Sequence, residues 1–399
     1  MTSNPPWQGA WLAYGFRPFF LLAAAYAPLA LVPWVGALLQ QFVLPMSLSP
    51  LVWHGHEMLF GFAFAALAGF LLTAIPSWAG VRPLTGAGLA SLVGLWLLGR
   101  VSFWFGASLP VLVVVALNLM FSLALLAWVL PSLLLPRGRR HLSLAAVLGA
   151  MVMVQAAFYG AWLAPAAGLP APATLLNTGV NLMVLMVVLT LSRILPVVTQ
   201  AARRDAGLLS PWRLSPARAH LAAVALGLFV LADLWAPGHP VTGWLALAAA
   251  AAQADRLSEW PWGRAMARLY LLLLTLAYLW LVAGLVLVGL AALSDAWPAY
   301  AGRHALSVGT LGTSILAVFC IAGLRHTGRP LRLPRLLWPA LLTLAATAAL
   351  RTLVPLWLPQ YYLVAAVALP FLLWAATFAC YLVGYGRMLV TARPDGLPG

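Results

Sequence analysis

Two histidines and a glutamate stand together at His54, His56 and Glu57, in the run HGHE near the head of the apolar stretch Leu51–Ile75. Imidazole is the commonest side-chain ligand for haem iron, copper and zinc. A carboxylate beside it can orient a ligand or relay a proton. Ionisable groups inside a bilayer are costly, so functional use is their default interpretation. On a helix, residues two apart point roughly 200° from each other. His54 and His56 therefore serve two centres, or one centre and one structural partner, unless the helix is unwound at Gly55. A third histidine, His304, opens another apolar run, RHALSVGTLGTSILAVFCIAGLRHTGRPL, and follows Arg303. His326 lies 22 residues beyond it, about 33 Å along a helix. The plain alternative for the whole set is a hydrogen-bonded polar cluster that only packs helices together.

The elements that must hold these residues are membrane-spanning helices. The chain has 399 residues, 64% of them hydrophobic and only 7% charged, with a mean hydropathy of +0.98. A soluble domain carries about 25% charged residues. The net charge of +15 comes entirely from arginines, nearly all lying between apolar segments. That pattern is a topology signal and excludes a nucleic-acid face. Cys320 and Cys380 form no CxxC or CxxCH, so neither a disulfide framework nor covalently attached haem is expected. The N-terminus carries no basic leader and no cleavage site, which fits an uncleaved first helix after Arg17.

A crossing helix needs about 20 apolar residues. The sequence predicts an all-α polytopic membrane protein with about twelve such helices. They cover 19–40, 51–75, 84–104, 109–135, 142–165, 172–196, 217–236, 239–255, 265–292, 302–324, 333–354 and 359–386, the eighth being short. With the N-terminus inside, nineteen arginines fall on the cytoplasmic side and only Arg100, Arg303 and Arg351 outside, a strong positive-inside bias. Both termini are then cytoplasmic. Residues 1–399 form a single integral-membrane domain, divisible into two six-helix halves, about 1–196 and 217–399, joined by a cytoplasmic loop 197–216. His54, His56 and His304 share the outer membrane level, and His326 belongs near the inner face. His141, His220 and His239 fall at helix ends, as interfacial residues do. The three outer arginines suit the propionates of a non-covalent haem, or equally, for Arg100 and Arg351, ordinary snorkelling. Both HEMLFG and HALSVG place Gly five residues after His, and RPL follows each some twenty residues later, a faint sign of duplication that chance explains as well.

GFRPFFLLAA (Gly15–Ala24), HGHEMLFGFAFAALAGFLLTAIPSWAG (His54–Gly80), SRILPVVTQ (Ser192–Gln200) and the run from His304 to Leu331 together resemble the NnrS family. The resemblance implies a twelve-helix bacterial inner-membrane protein containing b-type haem and copper. It further implies a role in nitric oxide metabolism, nitrosative-stress resistance and the setting of denitrification. It assigns haem or metal roles to His54, His56 and His304, with His326 as a further metal candidate, while Arg303, beside His304, is the cofactor contact that the propionate argument supplies. Glu57, Arg17 and Arg193 become supporting residues. Three departures stand out. HGHE replaces the usual HAHE, Arg325 replaces the Gly before His326, and RxxPFFT appears as Arg193-Ile-Leu-Pro-Val-Val-Thr199 without its aromatics.

Two functions compete on these residues. One is a haem and copper membrane protein acting on or sensing nitric oxide or nitrosyl species. The other is a twelve-helix secondary transporter without a redox cofactor, although PSWAGVRPLTGAG lacks the charge cluster of a major-facilitator signature. A structural or assembly protein is a blander third. The lipid bilayer is the partner common to all three.

Overall fold

The computed structural model describes residues 10–41, 48–208, 210 and 212–397. Among them there is no strand. The helices are α1 (Phe16–Leu29), α2 (Val32–Leu38), α3 (Pro50–His56), α4 (Phe64–Ala79), α5 (Gly86–Trp104), α6 (Val111–Leu134), α7 (Leu142–Leu163) and α8 (Pro172–Asp205). After these come α9 (Pro216–Trp235), α10 (Pro240–Arg256), α11 (Leu269–Leu293), α12 (Ala299–His304), α13 (Thr313–His326), α14 (Leu337–Trp357) and α15 (Leu369–Val390). The boundaries follow local chemistry. Proline opens α3, α9 and α10, where its missing N–H costs nothing. Gly80 ends α4 at φ 73°, a left-handed position that glycine adopts freely.

The all-α polytopic architecture stands. Eleven helices among the described residues are long and apolar enough to cross a bilayer. The expected eighth crossing is α10, whose 17 residues sit at the lower limit for a span. Helix α8 runs 34 residues, so it extends through the first part of the expected loop 197–216. Its polar end, QAARRD, continues the helix and Arg203 ties it to Ser210, donating to the backbone O at 2.8 Å and to Oγ at 2.6 Å. Residues 209 and 211 of that expected loop, and the ends 1–9 and 398–399 of the expected single domain, lie outside the described residues.

The chain forms two compact units. Unit one comprises residues 1–176, 318–340 and 374–399. There α1 packs on α4, and α5, α6 and α7 pack in sequence. Phe16, Phe19, Phe20 and Phe64 are wholly buried, and Phe20 stacks on Phe319 at 4.3 Å. Unit two comprises residues 177–317 and 341–373, with α9, α10, α11 and α12 packed in order.

Among the described residues three stretches wind as π-helix rather than α-helix: Glu57–Ala63, Ala305–Gly312 and Tyr362–Ala368. The first two begin directly after His56 and after His304. Such i→i+5 turns gather at functional sites in helices.

Candidate functional site

Glu57 is the hub of unit one. It opens a π segment near the start of a 30-residue span, and it is wholly buried, as is His56. Three elements deliver donors to its carboxylate. Arg100, from α5, donates to Oε1. Tyr26, from α1, donates to Oε2. His56 Nδ1 lies 2.8 Å from Oε1. A carboxylate has only lone pairs to offer, so His56 carries its hydrogen on Nδ1. Its Nε2 then accepts from the Tyr159 hydroxyl of α7 at 2.7 Å. Arg100 also donates to Asn118 Oδ1 at 2.5 Å, and Asn118 is held by the Val114 carbonyl at 2.8 Å. Trp104 Nε1 donates to the Tyr26 hydroxyl at 2.7 Å.

Charge and space are both accounted for. The guanidinium and carboxylate cancel, which is what makes two buried ions tolerable. Gly61 makes the approach possible. A Cβ there would stand 2.8 Å from Tyr26 Cε1 and 3.0 Å from Arg100 Nη1. Its carbonyl accepts from Trp96 Nε1 at 3.1 Å. Phe103 stacks on the His56 ring at 3.7 Å. The arrangement is a continuous hydrogen-bond chain, Tyr159 to His56 to Glu57, with Tyr26 as a second branch. A proton arriving at the Tyr159 end can enter Nε2 while the Nδ1 hydrogen passes to the carboxylate.

His54 looks elsewhere. Helix α3 is unbroken through His56, so Gly55 does not unwind it, and the two rings diverge as helical spacing requires. His54 stacks on Trp34 at 4.3 Å. Gly55 instead leaves room for Leu176, whose Cδ1 would lie 3.0 Å from an added Cβ.

Unit two holds a second polar cluster. Arg303 Nη2 is 2.7 Å from both Asp233 oxygens, and Asn181 bridges the pair, donating to Asp233 at 2.8 Å and accepting from Arg303 at 3.2 Å. His304 is turned to other partners. Its Nδ1 lies 2.7 Å from the Tyr300 carbonyl, and its Nε2 receives Arg351. Arg351 donates as well to the carbonyl of Ala366, inside the third π segment.

Each of the three outer arginines is paired with groups of the protein. Arg100 and Arg351 are 5% and 6% exposed and paired inside the protein, which corrects the snorkelling alternative. Arg303 already faces the carboxylate of Asp233. Arg17 lies at the end of α15, donating to the carbonyls of Leu389 at 3.0 Å and Thr391 at 2.7 Å. Arg193 donates to Leu189 O of its own helix at 2.9 Å. His326 packs against Tyr14 and Phe16. His239 caps α10, accepting from Val241 N at 3.2 Å.

A metal or haem at His56 or His304 would displace an existing hydrogen-bond partner. Both nitrogens of His56 and both of His304 are engaged, so iron or copper would first need Tyr159 or Arg351 to move away. No group of three or more His, Cys, Asp or Glu among the described residues is placed to hold a metal ion. Tyr26, Asn118, Tyr159, Asn181 and Asp233 were not foreseen from sequence. Only Asp233 carried a signal, as an acid in an apolar span at the expected depth of Arg303.

The family profile described as "NnrS protein" matches residues 10–393. No curated protein matches the chain significantly.

Proposed function

The chain belongs to the NnrS family, and from that premise we propose that it acts on or senses nitric oxide or a nitrosyl species in the bacterial inner membrane. Its working centre is the His56–Glu57 network. One observation supports this most: a buried carboxylate, imidazole, guanidinium and two phenols share one hydrogen-bond chain at a π interruption. Reactions of nitrogen oxides consume or release protons, and this chain can hold and move one inside the bilayer. Haem b and copper belong to the proposal as the family's cofactors, and either would supply electron transfer and a site for a diatomic ligand. His54, His56 and His304 are their candidate ligands, with His56 and His304 available only after their hydrogen-bond partners turn away.

A secondary transporter is the second reading. Helices interrupted beside paired charges in each unit favour it. The visible absorption spectrum of purified protein, with metal analysis and anaerobic addition of nitric oxide, separates the two. The proposal expects a chromophore whose bands shift with nitric oxide. A colourless, metal-free protein that leaves nitric oxide unchanged overturns it.

A further inference from the structure

Arg256 closes α10 and is 1% exposed. Its Nη2 donates to Ser192 Oγ at 3.2 Å, and its guanidinium carbon lies 5.8 Å from the centre of the Tyr278 ring. Ser192 in turn donates to the Val188 carbonyl at 3.0 Å, and Tyr278 to Gln253 Oε1 at 2.5 Å. The Nε and Nη1 of Arg256 are buried and meet no acceptor among the described residues. The nearest acids in sequence are engaged with other groups. Asp255 pairs with Arg218 at 3.2 Å, and Glu259 Oε1 accepts from Ser215 N at 2.8 Å. Glu259 Oε2 is itself without a partner.

A buried cation with no ion-pair partner and two donor nitrogens left without acceptors is costly for a fold to hold. The C-terminal dipole of α10 contributes about half an elementary negative charge at that end, which offsets part of the cost. It gives Nε and Nη1 nothing to bond. Tyr278 steadies the charge through its ring and a side-chain hydrogen bond with the guanidinium, yet Nε and Nη1 remain without an acceptor. What completes the set is an anion. One unpaired positive charge calls for a monovalent one. Near-total burial calls for a small one, since a lipid headgroup brings a glycerol that must stay at the surface.

We propose that Arg256, with Ser192 and Tyr278, forms a binding site in unit two for a small monovalent oxyanion, of the formate or nitrate kind. The site is separate from the His56–Glu57 centre and does not depend on the function proposed for it.

The test is thermal unfolding of the lipid-free, detergent-purified chain in potassium formate against potassium chloride at equal ionic strength. Binding to the folded state raises the melting temperature along a saturating curve. The wild type and Arg335→Gln, an exposed control, should both show it. Arg256→Gln should weaken the apparent affinity about tenfold or more, the loss of a charge-assisted contact. Arg256→Lys, which keeps charge but not the planar donors, should shift the curve to higher formate, and it carries the test if Arg256→Gln does not fold. No formate response in the wild type overturns the proposal, as does an unchanged response in Arg256→Lys together with Arg256→Gln. A response seen only with added phosphatidylglycerol assigns the cation to lipid and also overturns it. Equal destabilisation by Glu259→Gln and Arg256→Gln, with no further loss in the double variant, would mean that Glu259 is the partner.

Discussion

Unit one and unit two each place a histidine at the point where an α-helix turns into a π-helix, yet they treat it oppositely. His56 donates to a carboxylate and accepts from a phenol. His304 faces a backbone carbonyl on one side and a guanidinium on the other. A phenol and a carboxylate can pass a proton along. A backbone carbonyl and a permanently charged guanidinium do not trade protons with the imidazole. The carboxylate of the polar cluster in unit two, Asp233, is taken up by Arg303 and Asn181 rather than by the imidazole. The same local device therefore makes a relay in one unit and a lock in the other, and the partner's charge decides which.

The comparison breaks first at the ion pairs. Arg100→Leu leaves Glu57 buried without its cation and should cost about 3–5 kcal/mol. Asp233→Asn should cost less, about 1–3 kcal/mol, because the Arg303 side chain is 18% exposed and can still reach water. Thermal unfolding of the two variants checks the order, and equal losses would erase the distinction between the units.

The glycines sharpen it. Gly61→Ala pushes on Tyr26 and Arg100, whereas Gly309→Ala meets Trp280, with Cγ at 2.5 Å from the added Cβ. Overpacking of either kind costs about 1–3 kcal/mol. Gly61→Ala should also reduce nitric oxide-linked activity, while Gly309→Ala should lower stability alone. Activity normalised to membrane abundance tells them apart.

The smallest effect lies outside both clusters. Arg393 donates to Asp395 at 2.6 Å and 2.9 Å, which pulls the exposed carboxyl from 3.8 down to about 2. The folded value is the lower one, so this contribution is present above the ordinary value and fades as pH falls through about 2. Asp395→Asn should leave melting at neutral pH nearly unchanged and remove only a shallow acid dependence. A large loss at neutral pH would show that the clasp holds the C-terminal segment, whose Arg393 also donates to the His326 carbonyl at 3.1 Å.

Much of the fold was legible because a bilayer leaves little choice. Apolar runs of the right length must be helices when no water can satisfy the backbone, and even the marginal α10 was visible as a short run. The divergence of His54 and His56 followed from helical spacing alone. The partners of those residues were not legible. Tyr26, Asn118 and Tyr159 are ordinary residues in apolar spans, and what distinguishes them is which helix faces which. The π segments were hidden too, since HEMLFG and HALSVG carry no local mark of an altered helical repeat. Burial of Arg100 and Arg351 disfavours one of the two alternatives left open by their place at helix ends, where snorkelling is usual.

The central claim is that function runs through Glu57 while Asp233 serves the fold. Nitric oxide removal by membranes carrying Glu57→Gln or Asp233→Asn, at matched abundance of folded protein, tests it most directly. The account predicts that Glu57→Gln loses the activity and Asp233→Asn keeps it. Full activity in Glu57→Gln, or loss confined to Asp233→Asn, would contradict it.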